Sequence, residues 1–330
     1  MKKILLAVLC CVFAAPLLRA QNYVFEKSIS LPGEGGYDYL SIDKVNRRLY
    51  VSHSTTVNVV DLETGLPAGV IAEMKGVHGI AIDNKANRGF ISDGRSNAVV
   101  AFDLKTLKTL AVIPIDGNGP DAITYDPFSD RVFAFNGESS NSSVVDPNTL
   151  KQVGTVALGG APEFAVPDGK GLIYNNLEDK SSLDVIDTRT LKVKRTTPLD
   201  PCGGPTGLAL DKANQRLFTV CRENKGMSVV DASSGKVITT LPIGAGVDAV
   251  AYDPETKLIF CSCGDGTVTI IKQHSADSYS VLQTLKTQVR ARTMTLDEST
   301  HKIYLSVAEF EPGTRKSVPG SFKVLVYKPK

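Results

Sequence analysis

Asp38, His78, Asp121, Asp248 and Arg292 stand 40, 43, 127 and 44 residues apart. No single loop could present them together. Brought to one place by a fold, three carboxylates, one imidazole and one guanidinium could hold a divalent cation or a polar small molecule. Oxygens alone would suit calcium, whereas an imidazole among carboxylates suits a transition metal. Asp38, His78, Asp121 and Asp248 are therefore the candidate metal ligands, and His53, Asp93, Glu163 and Arg292 extend the candidate ligand-binding set. No GxSxG elbow, HExxH pair, phosphate loop or dinucleotide fingerprint accompanies them, so no local motif assigns a catalytic chemistry.

The intervals are those of a repeat. Counting seven residues on from Asp126 reaches Phe133, and the same offset joins Asp43 to Tyr50, Asp83 to Phe90, Asp211 to Phe218, Asp253 to Phe260 and Asp297 to Tyr304. Pro167 to Tyr174 is a degenerate copy, giving seven units spaced 40 to 44 residues apart. In five units a second short apolar run closes on Asp61, Asp103, Asp146, Asp187 or Asp231. The second unit shows four strand signals, GIAI, RGFIS, NAVVAF and LKTLAVIPI, rich in β-branched and aromatic residues. The aspartates suit tight turns, and the aromatics recur in every unit and belong to the core.

Four-stranded units of this period, with no sustained helical periodicity, predict an all-β seven-bladed β-propeller with antiparallel blades. After Arg292 the seventh unit has only three strands, and NYVFEKSISLPG at 22–33 matches a missing fourth. The N-terminal strand is thus predicted to close the ring in the last blade.

In such a ring the candidate residues fall at two offsets. Five residues before the anchors stand Asp38, His78, Asp121, Pro162, Thr206, Asp248 and Arg292, with Glu163 beside them. Ten residues after the anchors stand His53, Asp93, Asn136, Leu177, Cys221, Cys263 and Val307. If the first strand is innermost, both offsets reach one face around the channel mouth, and the segment AEFEPGTRKSVPGS at 308–321 could overhang it. Grouped carboxylates repel, so a cation would relieve Asp121 and Asp248 together. His274 and His301 fall in turns and are expected to be solvated.

RLYVSH at 48–53, NVVDLETG, SVVDASSGKVITTLPIG and GVDAVAYDP resemble the YVTN-type, YncE-like β-propeller repeat proteins, and the resemblance runs across the mature chain. It implies a seven-bladed propeller, often exported, and carries no shared catalytic signature. The function expected is a non-catalytic binding or interaction protein, with a small molecule or protein partner at the mouth and a divalent cation as candidate cofactor. The alternative, by analogy with propeller lactonases, is a lactonase-like hydrolase or lyase using Glu163, His78, Asp121 and Arg292.

MKKILLAVLCCVFAAPLLRA, residues 1–20, has the layout of a secretory signal peptide, leaving one propeller domain over 21–330 that is periplasmic or secreted. The leader contains Lys2, Lys3 and Arg19 and no acid, so 34 basic and 35 acidic residues remain and no nucleic-acid footprint is expected. No later run is long enough to span a membrane, and a monomer is expected. Of the four remaining cysteines, Cys202 and Cys221 bracket the inner and second strands of the fifth blade and are expected to pair; Cys261 and Cys263 share one strand and pair poorly.

Overall fold

A computed structural model describes residues 22–314 and 316–330; the expected leader at 1–20 lies outside the described residues. The aspartate landmarks are turn-makers. Asp43 Oδ1 accepts the N–H groups of Val45 and Asn46, each at 3.0 Å. Asp83, Asp126, Asp211, Asp253 and Asp297 likewise accept the N–H two residues on. Four residues after these anchors, Arg47, Asn87, Asp130, Gln215, Lys257 and His301 have φ between 51° and 57°, the left-handed step that ends the turn. Pro167 has no carboxylate, so Asp168 takes over by accepting from Lys170 and Leu172, and Gly171 supplies the positive φ. The second landmarks use the same device, as when Asp61 Oδ1 accepts from Glu63 and Thr64.

These turns connect seven four-stranded antiparallel sheets. The inner strands are Tyr37–Asp43, Val77–Asp83, Pro120–Asp126, Pro162–Pro167, Pro205–Asp211, Val247–Asp253 and Met294–Asp297. Apolar clusters lie between neighbouring blades, so the strands are covered on both faces. Tyr50 of the first blade, for example, packs with Ile80, Ile91 and Phe102 of the second. All seven repeat aromatics are core residues, none more than 4% exposed.

The ring closes as expected: Tyr23–Ser30 pairs antiparallel with Lys323–Pro329 and completes the seventh blade. Tyr23 also fastens this strand to the sixth blade. Its N–H donates to Gln283 Oε1 at 2.8 Å, Gln283 Nε2 donates back to its carbonyl at 2.9 Å, and its ring meets Phe260 edge-on at 4.9 Å. Among the described residues no helix is long and apolar enough to cross a membrane.

Cys202 and Cys221 form a disulfide with a Cα separation of 5.1 Å, while Cys261 and Cys263 are free and buried. The bridge closes a short loop and should contribute about 3 kcal/mol. Reduction, or Cys202→Ala, is expected to lower the melting temperature by several degrees, and peptide mapping without reductant should recover the linked pair. His301 departs from expectation: its Nδ1 lies 2.7 Å from the buried Asp253 Oδ2, an inter-blade contact that solvent does not provide. His274 is exposed, as expected, with Nε2 2.8 Å from Ser280 Oγ.

Candidate functional site

In six of the seven blades the inner strand breaks register at its mouth end. The breaks fall between Tyr37 and Leu40, Val77 and Ile80, Pro120 and Ile123, Pro162 and Ala165, Pro205 and Leu208, and Val247 and Ala249. A bulge frees its residues from ladder pairing and redirects their side chains. Asp38, His78, Asp121, Glu163 and Asp248 all lie inside these breaks.

Second-strand side chains then clasp the backbone of the neighbouring bulge. Ser92 Oγ donates to the carbonyl of Asp121, Asn176 Nδ2 to that of Thr206 at 2.8 Å, Ser262 Oγ to that of Arg292, and Ser306 Oγ to that of Asp38 at 3.4 Å. In these four cases one blade positions the mouth residue of the next. These polar atoms are buried, so an alternative bulge conformation would leave them unpaired.

Three of the four candidate metal ligands come together. His78 Nδ1 lies 2.8 Å from Asp38 Oδ2 and 3.4 Å from Asp121 Oδ1, and one ligand atom from each residue falls within 4.8 Å of the others. A single N–H can serve only one carboxylate well. Asp38 takes it, and Asp121 Oδ1 remains buried without a hydrogen bond.

The electrostatics follow from this shortage. Burial, then the charge of Asp38, pushes the Asp121 carboxyl up to about 7, with His78 only partly opposing. Burial would push the His78 imidazole down, but its hydrogen bond to Asp38 and the charges of Asp121 and Asp38 prevail and raise it. Across the mouth Glu163 is pushed well up, first by burial and then by Asp121, Asp248 and Glu178.

Asp248, the fourth candidate, belongs to a different group. Its Oδ2 lies 3.1 Å from Arg292 Nε, and its Oδ1 is paired with Arg222. Arg222 also meets Glu178 at 2.5 Å and Glu163 at 3.6 Å. The mouth therefore has one side where a single imidazole faces Asp38 and Asp121, and another where Arg222 and Arg292 pair with Asp248, whose carboxyl is still raised by burial against those two charges.

His53 and Asp93 join neither side. His53 is buried, stacked on Phe322 at 3.7 Å between ring centres, with Nδ1 3.3 Å from the carbonyl of Pro32. Asp93 accepts the backbone N–H groups of Lys75 and Gly76. Both hold loops in place, because their offset lies at the end of the second strand, one layer outside the channel.

Arg222, Glu178 and Tyr39 were not among the expected residues, though the repeat marks them. Eleven residues after the anchors stand Ser54, Gly94, Gly137, Glu178, Arg222, Gly264 and Ala308, where only two are large and charged. Four residues before the anchors, Tyr39 and Glu163 interrupt a series of small residues. Tyr39 packs on Phe164 at 5.4 Å, flooring the mouth above a cavity of about 110 Å³ lined also by Ala249 and Met294. Burial, and then the charges of Asp121 and Glu163, raise its hydroxyl far above the ordinary tyrosine range.

Comparison with known proteins supports the fold more finely than the function. No family model matches the chain. It is 25% identical over 183 residues to Antigen Lp49 of Leptospira interrogans serogroup Icterohaemorrhagiae serovar copenhageni (strain Fiocruz L1-130), a match covering 54% of this chain and 40% of that protein. The chain thus spans well under half the length of this curated relative. Among solved structures, a chain from Kuenenia stuttgartiensis hydrazine synthase superposes with a TM-score of 0.71 at 14% identity, over 89% of this chain and 95% of that one. A chain from a mitotic checkpoint complex superposes with a TM-score of 0.76 at 13% identity, over 99% of this chain and 98% of that one. At such identities the likeness concerns architecture alone: the chain is a seven-bladed β-propeller.

Proposed function

We propose that the protein is an exported propeller of the YVTN type that binds a divalent transition-metal ion at its channel mouth, through Asp38, His78 and Asp121, as a binding protein and not as an enzyme. The observation carrying this reading is the unshared proton: one imidazole N–H faces two carboxylates, and Asp121 Oδ1 has no donor. A divalent ion in place of that proton would satisfy both carboxylates and the imidazole nitrogen at once. One nitrogen and two oxygens favour zinc or another first-row ion over calcium or magnesium. The disulfide fits an oxidising compartment, and the name of the Leptospira relative fits a binding or interaction protein.

The reading fixes the sign of a pH dependence. Metal binding must displace the His78 proton, and it needs Asp121 ionised, which requires the pH to rise past about 7. Zinc affinity, measured by calorimetric titration, is therefore expected to strengthen between about pH 5.5 and 7.5 and to level off above. Affinity that is flat across this range would remove Asp121 from the site. A lactone panel tested on the zinc-loaded protein separates the enzymatic alternative, and no turnover above a His78→Ala control is expected.

A further inference from the structure

Beside the cation cluster, on the seventh-blade side of the mouth, a pocket of about 640 Å³ opens between Arg290, Arg292, Tyr37 and Phe310. Its size lies within the range of small-molecule sites. We infer that this pocket binds a small aromatic carboxylate, with the carboxylate on the two guanidinium groups and the ring against Tyr37 and Phe310.

The two arginines are presented before any ligand arrives. Arg290 has φ 75°, a left-handed conformation that side-chain-bearing residues adopt at a cost. It is held there by its N–H donating to the carbonyl of Gly264 at 2.8 Å and by Tyr37 Oη donating to its own carbonyl at 2.9 Å. Two residues on, the carbonyl of Arg292 accepts from Ser262 Oγ.

Their charges are incompletely used. Arg292 meets Asp248 with Nε 3.1 Å from Oδ2, and half of its side chain remains exposed. Arg290 makes no ion pair among the described residues, and its guanidinium lies over the Phe310 ring at 4.2 Å. A guanidinium stacked on an aromatic keeps its N–H edge available, and that edge matches a carboxylate.

The walls select a flat ligand. Tyr37 and Phe310 stand 6.3 Å apart between ring centres, and the remaining lining contributes glycines, Gly36, Gly246 and Gly264, which let a ring approach the backbone. Phe310 comes from the 308–321 segment and lines this pocket together with Arg292. A Cβ at Gly36 would meet nothing within 4 Å, so a larger side chain there would extend into open space.

The cation is not required, since none of its three ligands lines this pocket. Calorimetric titrations of the full-length protein in chelator, with benzoate, acetate, benzyl alcohol and inorganic phosphate, test the inference. Benzoate is expected to bind most tightly, and Arg290→Gln and Gly36→Leu are each expected to weaken it by about tenfold or more while zinc binding is retained. If Arg290→Gln fails to fold, Gly36→Leu decides alone. The inference is overturned if benzoate binds no better than acetate or benzyl alcohol, if phosphate equals it, or if folded variants bind it like the parent. Loss of zinc binding with benzoate binding intact would instead count against the cation reading.

Discussion

Deleting residues 23–31 is expected to lower the melting temperature by at least about 10 °C and to drive the protein into aggregates. Tyr23, Ile29 and Leu31 are 1%, 6% and 4% exposed, and burial of each contributes about 2 kcal/mol. The deletion also uncovers Lys323–Pro329 as a sheet edge and leaves Gln283 without the backbone it clamps. Because this strand joins the first and last blades, its loss opens the ring as well as thinning one blade. Thermal melting and sedimentation read the outcome. A monomer that melts like the intact chain would contradict closure by the N-terminal strand.

Asp121→Asn is expected to weaken zinc binding by about a hundredfold or more, since loss of groups that merely support a ligand already costs ten- to a hundredfold. It should simultaneously stabilise the metal-free protein. Folding raises the Asp121 carboxyl from 3.8 to about 7, so the folded state is increasingly disfavoured as pH rises from about 4 to about 7, and the full penalty is present above that. With the side chain 31% exposed, solvent screening reduces the gain to the order of 1 kcal/mol.

Asp248→Asn should differ in its effect on the ion. It removes the anionic partner of Arg292 and one partner of Arg222 but no ligand atom of the cation cluster, so zinc binding should stay nearly intact. Burial raises the Asp248 carboxyl against the opposing charges of Arg292 and Arg222, so removing its charge is not expected to destabilise the metal-free protein. The sequence suggests one effect for both aspartates because they share an offset three blades apart. The structure separates them, since only Asp121 joins His78 and Asp38. Calorimetric zinc titration of the two variants at pH 7.5 provides the check; equal losses of affinity would undo this division of the mouth.

Much of the architecture could be read from the sequence because its causes repeat. An aspartate caps the first turn in six of the seven units, an aromatic fills each inter-blade core, and seven copies average away local ambiguity, so blade number, strand order and ring closure all follow. The fourth blade shows the limit: Pro167 breaks the pattern, and only its neighbour Asp168 explains how the turn survives.

The site was legible in part, for the opposite reason. Its residues are departures from the repeat, and of those at the innermost offset the structure brings Asp38, His78 and Asp121 together and pairs Asp248 with Arg292. The same argument misplaced His53 and Asp93, because offset alone cannot show that a side chain turns outward to stack on Phe322 or to bind the backbone of Lys75 and Gly76. Arg222 and Glu178 lie one residue beyond the offset considered. The bulges that direct the inner residues leave no mark in residue type, since Gly79, Ala122 and Glu163 occupy equivalent positions within them.

The central claim is that three blades jointly hold one divalent ion. Native mass spectrometry of the full-length protein, stripped with chelator and then exchanged into zinc at pH 7.5, measures this directly. The account predicts a single bound ion in the parent protein and none in His78→Ala, with both proteins folded by their melting curves. An unmetallated parent, or an ion retained by His78→Ala, would contradict it.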